Sequence, residues 1–366
     1  MRTLTADDAR HGVLGGGVFA CGGGGWKHHG ELMGALATSI GYPTLASVDE
    51  LPGDSWVATV TAIGAPASPT WEIQPIDYVN ALRALIDAVD VPIAAVMTAQ
   101  NGYSTTHNGW IQSASLGIPV LDAAGDIRAH PTGKMGAMGL TTRPDYIATQ
   151  VLSGGNRALH GEFLSINRGT VTTCDDVLRD ISVRTGGFIA AARNPVELQW
   201  VKENAALGSI SLALDLGEVM EEAGYGSSER AEDVIAAVVE KLGATVVDRG
   251  PLTFTEPLVT KGGWDHGAFG VGQYTVPYLN EFMAIDGPDG RVATYPDTIA
   301  IMRTDTGEAL AVKDAHEGMD VVLIYVPAVT LPLSFSAVDP VGIAECEQIM
   351  GIDLLPYTPE RVAAVA

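Results

Sequence analysis

Apolar positions near the start of the chain recur with helical spacing. Thr5 followed three residues later by Asp8 forms a capping-box start, which predicts a helix over 6–20 ending at the glycine run 22–25, and a second helix over 27–40. From residue 56 the pattern becomes strand and helix in alternation: strand 56–63, helix 76–89, strand 91–98, helix 109–116, strand 118–121. Such alternation predicts a parallel sheet covered by helices. Beyond about Asn167 the character changes. Residues 177–193 read as extended chain with a Gly186-Gly187 bend, followed by helices over 195–206, 209–222 and 230–242. From 245 to 326, short alternating runs are separated by turn signals such as Gly287-Pro288-Asp289-Gly290, the pattern of a small β-barrel or sandwich. The expected fold class is α/β: a layered N-terminal domain with parallel strands (1–167), then a C-terminal domain (168–366) with a helical segment (195–242) and a β-barrel-like segment (245–330).

In open α/β sheets ligands bind beyond the carboxyl ends of the strands. The segments expected there hold most of the polar chemistry of the first half. Gly64-Ala65-Pro66 follows the first strand, a run from Gln100 and Asn101 to His107 and Asn108 follows the second, and Asp122, Asp126, Arg128 and His130 follow the third. The site is placed at these loops.

Composition narrows the classes of partner. Among 366 residues, 21 Lys and Arg face 44 Asp and Glu, a net charge of -23 that repels phosphate backbones and anionic membrane surfaces. No nucleic acid or membrane partner is expected, and the longest apolar stretch, 321–333, is broken by Pro327 and Pro332. Charged residues make up 18% of the chain, below the roughly 25% usual for soluble domains, which points to surface covered in a homo-oligomer. The N-terminus lacks the basic start and apolar run of a signal peptide, and the three cysteines form neither a disulfide framework nor a metal-spaced pair. A cytoplasmic location is expected.

The candidate chemistry has competing explanations. The four glycines can free backbone N–H groups of Gly23, Gly24 and Gly25 to meet an anion or a polarised carbonyl at a helix start, or they can mark a tight helix crossing. His28, His29, His107, His130 and His266 stand in polar or glycine-rich surroundings. Converging from several loops they would suit zinc or cobalt; otherwise they serve as hydrogen-bonding, acid/base or plain surface histidines. Cys21 at the helix end is a candidate nucleophile or simply a small buried residue. Asp122 and Asp126 can orient a histidine or act as a base, and Arg128 can grip a substrate carboxylate, with a loop-bracing ion pair as the alternative. Residues 15–20 nominally fit a dinucleotide fingerprint, but no strand precedes them; neither NAD nor a nucleotide is expected.

Several of these segments together resemble one family. The glycine run 22–25, Gly64-Ala65-Pro66, Gln100-Asn101-Gly102, the stretch from Leu116 to Asp122 continuing to His130-Pro131, Asn280-Glu281-Phe282 and Tyr295-Pro296-Asp297 occur in the order of the family long known as DUF917 and now labelled S-methyl-thiohydantoin desulfurase. The resemblance runs over nearly the whole chain. It implies an α/β N-terminal domain, a C-terminal part containing a β-barrel, and an association with hydantoinase- and oxoprolinase-type enzymes and thiohydantoin breakdown. Against the family pattern, Gln100 and Ala124 replace acidic residues and His130 an aromatic.

The function expected from residues and resemblance together is a hydrolase of a small heterocyclic amide, ureide or thioamide. Water attacks a ring sp2 carbon, His107 or His130 takes its proton, directly or through a metal, with Asp122 or Asp126 in support, and Gly23, Gly24, Gly25, Gln100, Asn101 and Arg128 bind the ring. A non-catalytic, heterocycle-binding partner subunit of such an enzyme is the alternative.

Overall fold

The structure, a computed structural model, describes residues 1–65 and 67–358; Pro66 of the first predicted loop and the Ala/Val-rich tail lie outside the described residues. The first part of the chain runs β1 (Arg2–Thr3), α1 (Ala6–Phe19), α2 (Lys27–Ile40), β2 (Thr44–Ala46), β3 (Trp56–Gly64), α3 (Pro75–Ala88), β4 (Ile93–Gln100), α4 (Trp110–Leu116) and β5 (Val120–Asp126). The middle comprises β6 (Ala148–Ser153), α5 (Arg157–His160), β7 (Leu164–Gly169), α6 (Val171–Arg184), β8 (Phe188–Glu197), α7 (Leu198–Asn204), β9 (Ala206–Leu207), α8 (Ser209–Glu222) and α9 (Ala231–Leu242). The last part is mostly strand: β10 (Thr245–Lys261), β11 (Trp264–Val271), β12 (Tyr274–Leu279), β13 (Glu281–Phe282), β14 (Ala284–Gly287), β15 (Gly290–Thr294), β16 (Thr298–Arg303) and β17 (Asp320–Val326), closed by α10 (Pro340–Met350).

The first nine strands make one mixed sheet in the order β1-β2-β5-β4-β3-β8-β6-β7, with β9 added to β5. Strands β2, β5, β4 and β3 are mutually parallel, and β8 joins β3 antiparallel. Both faces are covered, as the nearly unbroken apolar runs require. Ala58, Val60, Val96 and Val120 face the helical layer that includes α2, α3 and α4, while their neighbours Val57, Ala95, Met97 and Leu121 pack with Val171 and Cys174 of α6 and Leu198 and Val201 of α7. The period-two alternation of side chains thus divides each strand between two cores.

The remaining strands form a second, wholly antiparallel sheet, β15-β14-β12-β11-β10-β17-β16, with β13 on β12. It curls as a half-barrel. Strand β10 makes this possible: its first part pairs β17 and its second part β11, with register shifts at bulges along its length. Helices α1, α8 and α9 lie between the two sheets, Val18, Leu216 and Val238 packing with Met302 and Ile324. Where α1 crosses α8, a Cβ on Gly15 would stand 1.9 Å from the carbonyl oxygen of Ala213, so the glycine-rich helix is an adaptation to close packing.

Several expectations are corrected. Residues 177–193 are not continuous extended chain; α6 occupies most of their first half. Thr170 accepts a hydrogen bond from the Thr173 amide, and Val171, Cys174, Asp175, Leu178 and Ser182 recur on one buried face, a helical spacing that outweighs the β-branched residues. Pro195 belongs to β8, so the helix expected over 195–206 shortens to α7. Residues 122–126 are strand rather than loop, because β5 pairs with β9 at Ala123 and Ala124 and with β4 as far as Asp126. Strand β8 inserts between β3 and β6 of the first sheet.

Candidate functional site

A cleft with about 480 Å³ of open space, counting its mouth, lies at the carboxyl ends of β3 and β4. Gly64 ends β3 there, Ala99 and Gln100 end β4, and His130 arrives on the segment after β5. Gly24 and Gly25 enter from the turn before α2, Arg179 from α6 and Arg193 from β8. The curled sheet supplies the remaining wall through Asn280 and Glu281. The cleft therefore sits where the sheet topology places ligands, and both sheets contribute to it.

Glu281 is the most unusual group in this wall. Its side chain is buried; Oε1 accepts a hydrogen bond from the Gly24 amide at 3.3 Å, and Oε2 has no protein partner. Burial pushes its carboxyl up to about 8, against the opposing pull of Arg128, the Gly24 amide and Arg179. Asn280, in the left-handed region at φ 57°, precedes it and accepts a hydrogen bond from the Asp265 amide. The glycine run makes the space: a Cβ on Gly23 would stand 2.0 Å from Glu281 Oε1, and one on Gly22 2.7 Å from the Phe282 ring. The run's amides are already committed in part, Gly23 to the Ala20 carbonyl and Gly24 to Glu281. Its geometry is that of a cradle for a carboxyl group.

His130 is also part of the lining. Its backbone amide donates to Gln100 Oε1 at 3.0 Å, which ties the end of β4 to the histidine segment. Its Nδ1 is 3.6 Å from Asp126 Oδ2, too far for a hydrogen bond, and lacks a partner. Asp126 accepts from the Tyr295 hydroxyl at 2.8 Å. Two further buried atoms on lining residues are unpartnered, Thr105 Oγ1 and Arg193 Nε; the guanidinium of Arg193 otherwise holds Asp175 at 3.0 Å and the Gly133 carbonyl at 2.6 Å. Arg179 donates to the carbonyls of Gly263 and Pro131 and lies 3.9 Å over the Trp264 ring.

The other candidates are placed elsewhere or are already occupied. Asp122 accepts from the amides of Ile210 and Ser211 and from the Ser211 hydroxyl, so it caps the start of α8. Arg128 is fully buried and donates to the carbonyls of Ala129, Asp297 and Phe282; it clamps the two sheets and has no fork left for a carboxylate. Asn101 donates to the carbonyls of Ile127 and Ser209. His107 packs against Gly12 and Gly34 of α1 and α2, its Nε2 2.9 Å from the Ala9 carbonyl, and burial pulls its imidazole down to about 4. His29, beside the Tyr78 hydroxyl, is likewise pulled down to about 4 by burial and then by His28 and His107. Burial pushes the Cys21 thiol up to about 11, with Arg128 opposing. This is the reverse of what a nucleophile needs.

His28 is exposed at the start of α2, and His266 lies in β11 opposite Leu279. Among the described residues, no group of three or more His, Cys, Asp or Glu side chains is close enough to hold a metal ion. Among the described residues the five histidines expected as ligands do not form such a group. The residues missed from the sequence are Glu281, Arg179, Arg193, Thr105 and Asn280. A signal existed for four of them: Asn280 and Glu281 lie in one segment already singled out, Thr105 lies in the run from Gln100 to Asn108, and Arg193 interrupts an apolar strand where an unpaired charge is not tolerated.

Two family models match the chain, the S-Me-THD-like N-terminal domain over residues 7–159 and the S-Me-THD-like C-terminal domain over 169–343. The chain belongs to the S-Me-THD-like family. Its fold is similar to that of a protein from Chromobacterium violaceum known from an X-ray crystal structure: TM-score 0.70 at 19% sequence identity, over 96% of this chain and 97% of that one. Comparison with curated proteins gives no match. No described helix is long and apolar enough to cross a membrane.

Proposed function

We propose that this protein is a hydrolase acting on a small heterocyclic amide, ureide or thioamide of the hydantoin or thiohydantoin type. The supporting observation is the set of four buried polar atoms without protein partners, on Glu281, His130, Thr105 and Arg193, four residues that line one cleft. Buried polar groups left unpaired are costly, and several around one cavity fit a ligand that supplies the missing partners. A five-membered ring with alternating N–H and C=O or C=S groups is small enough for the space and offers both donors and acceptors.

In this reading His130 takes a proton from the attacking water, and the Asp126 carboxylate stands 3.6 Å from its Nδ1. Arg193 Nε–H and the Thr105 hydroxyl hold heteroatoms of the ring, and the adjacent guanidinium charge of Arg179 favours the negative charge that develops as water adds. Membership of the S-Me-THD-like family supports a cyclic ureide-like substrate without naming the bond cleaved. The test is turnover of a panel of hydantoins, S-methyl-thiohydantoins and cyclic imides, followed by ring opening and by release of free thiol. Hydrolysis of at least one member is expected; a panel left intact, with and without added zinc or cobalt, would sink the reading.

A further inference from the structure

We propose that Glu281 is the acid of this site: in its protonated form, Oε2–H donates to the carbonyl or thiocarbonyl of a ring held in the cleft and, during turnover, passes its proton to the departing heteroatom. Binding needs only the cleft; the turnover step rests on the hydrolase reading.

The geometry assigns the two carboxyl oxygens different tasks. Oε1 is occupied by the Gly24 amide, which leaves Oε2 as the free end. A carboxyl with one oxygen accepting from the backbone and the other unpartnered in a buried wall can be ionised only without full solvation. Held neutral, it gains a donor that a ring carbonyl can accept. The space is specifically kept, since Gly23 has room for no Cβ and the left-handed Asn280 turns the chain immediately before Glu281.

The charged and titratable groups around it come from every neighbouring element: Arg128 after β5, Arg179 on α6, Asp265 on β11, Cys21 after α1 and Cys346 on α10. His130 and Arg193 share the cleft. Two arginines favour the carboxylate, while burial and Asp265 favour the acid, and burial is the largest effect. The sign follows. The donor is present below about pH 8 and is lost as pH rises through that value.

The proton balance in turnover closes. His130 removes one proton from water as its oxygen bonds to the ring carbon, the carbon–heteroatom bond breaks, and the heteroatom leaves with the proton from Glu281. The imidazolium then returns its proton through solvent to the Glu281 carboxylate, restoring both groups. Neither an oxidant nor a reductant is required.

The experiment is calorimetric binding of 2-imidazolidinone, a cyclic urea whose own N–H groups do not titrate in this range, from about pH 6.5 to about pH 9.5. For the native protein the dissociation constant should be flat at low pH and rise about tenfold per pH unit above the Glu281 transition. Glu281→Gln, whose amide donates without titrating, should bind with an affinity independent of pH. Gly23→Ala, which crowds Oε1 without altering the carboxyl, should bind weakly at every pH and serves if the first variant does not fold. Absence of binding by the native protein, a flat native profile, or an alkaline loss that persists in Glu281→Gln would each overturn the proposal. With a turned-over substrate, Glu281→Gln should lower kcat by about 10²- to 10⁴-fold and remove the alkaline limb. If the substrate panel is inert while the binding profile behaves as described, the hydrolase reading fails and the donor role of Glu281 stands.

Discussion

The two histidines expected to do the same work, His107 and His130, end up in opposite situations. Both follow neighbouring parallel strands and both are buried. His107 is packed between α1 and α2, with Nε2 against the Ala9 carbonyl and glycines at 12 and 34 shaped around its ring. His130 lines a cleft with its Nδ1 unpartnered, beside a carboxylate that is close but not bonded. Residue type and strand-end position are the same, and Nδ1 of each lacks a hydrogen-bond partner; what differs is that His130 lines the cleft while His107 is enclosed between helices. The contrast extends to the acidic and basic candidates, since Asp122, Asn101 and Arg128 are committed to backbone groups while Glu281, Thr105 and Arg193 retain an open atom.

The sharpest way to break this comparison is to remove each histidine in turn. His130→Ala should lower kcat on a turned-over ring by about 10²- to 10⁴-fold with little change in thermal midpoint. His107→Ala should leave kcat unchanged and lower unfolding free energy by about 1–3 kcal/mol, because it empties a packed interhelical site. Equal kinetic losses in both would mean that a place in the cleft lining is not what distinguishes them. Next in size is Arg128→Met, which keeps most of the aliphatic stem but removes the guanidinium hydrogen bonds to three buried carbonyls; urea titration should show a loss of about 3–5 kcal/mol. Native stability with abolished substrate binding would return Arg128 to the site.

The comparison also explains what was legible in the sequence. Helical and strand periods located α1, α2, β3, α3 and α8 to within a residue or two, because each carries its own spacing of apolar residues. The site's position at strand ends followed from the alternation, and His130, Gln100, Gly24 and Gly25 were in view. Glu281 was not, because it comes from β13, far along the chain, and reaches the cleft through contacts between the two sheets that no local pattern encodes. Arg179 was hidden for a different reason. The β-branched residues of its helix point to extended chain in the sequence, where its place one turn after Asp175, facing the cleft, is not visible. Asp122 was misjudged because a polar residue near the end of a strand looks like loop chemistry until its partners on α8 are known.

Asp122 supplies the smallest and most discriminating test of the rule that committed groups stabilise and open groups act. Its carboxylate receives two amides from the first turn of α8 and the Ser211 hydroxyl at 2.6 Å, where the helix start also favours negative charge. Gly208, the residue before the helix, has no side chain to do this itself. Asp122→Ala should therefore cost about 1–2 kcal/mol of stability, the range of a lost helix cap, and Asp122→Asn should restore part of it by keeping one acceptor oxygen. Neither change should move kcat or its pH profile, since the carboxylate contacts α8 rather than the cleft lining. A drop in kcat with stability intact would show that an occupied carboxylate on β5 still acts on the reaction, and the division between committed and open groups would lose its predictive force.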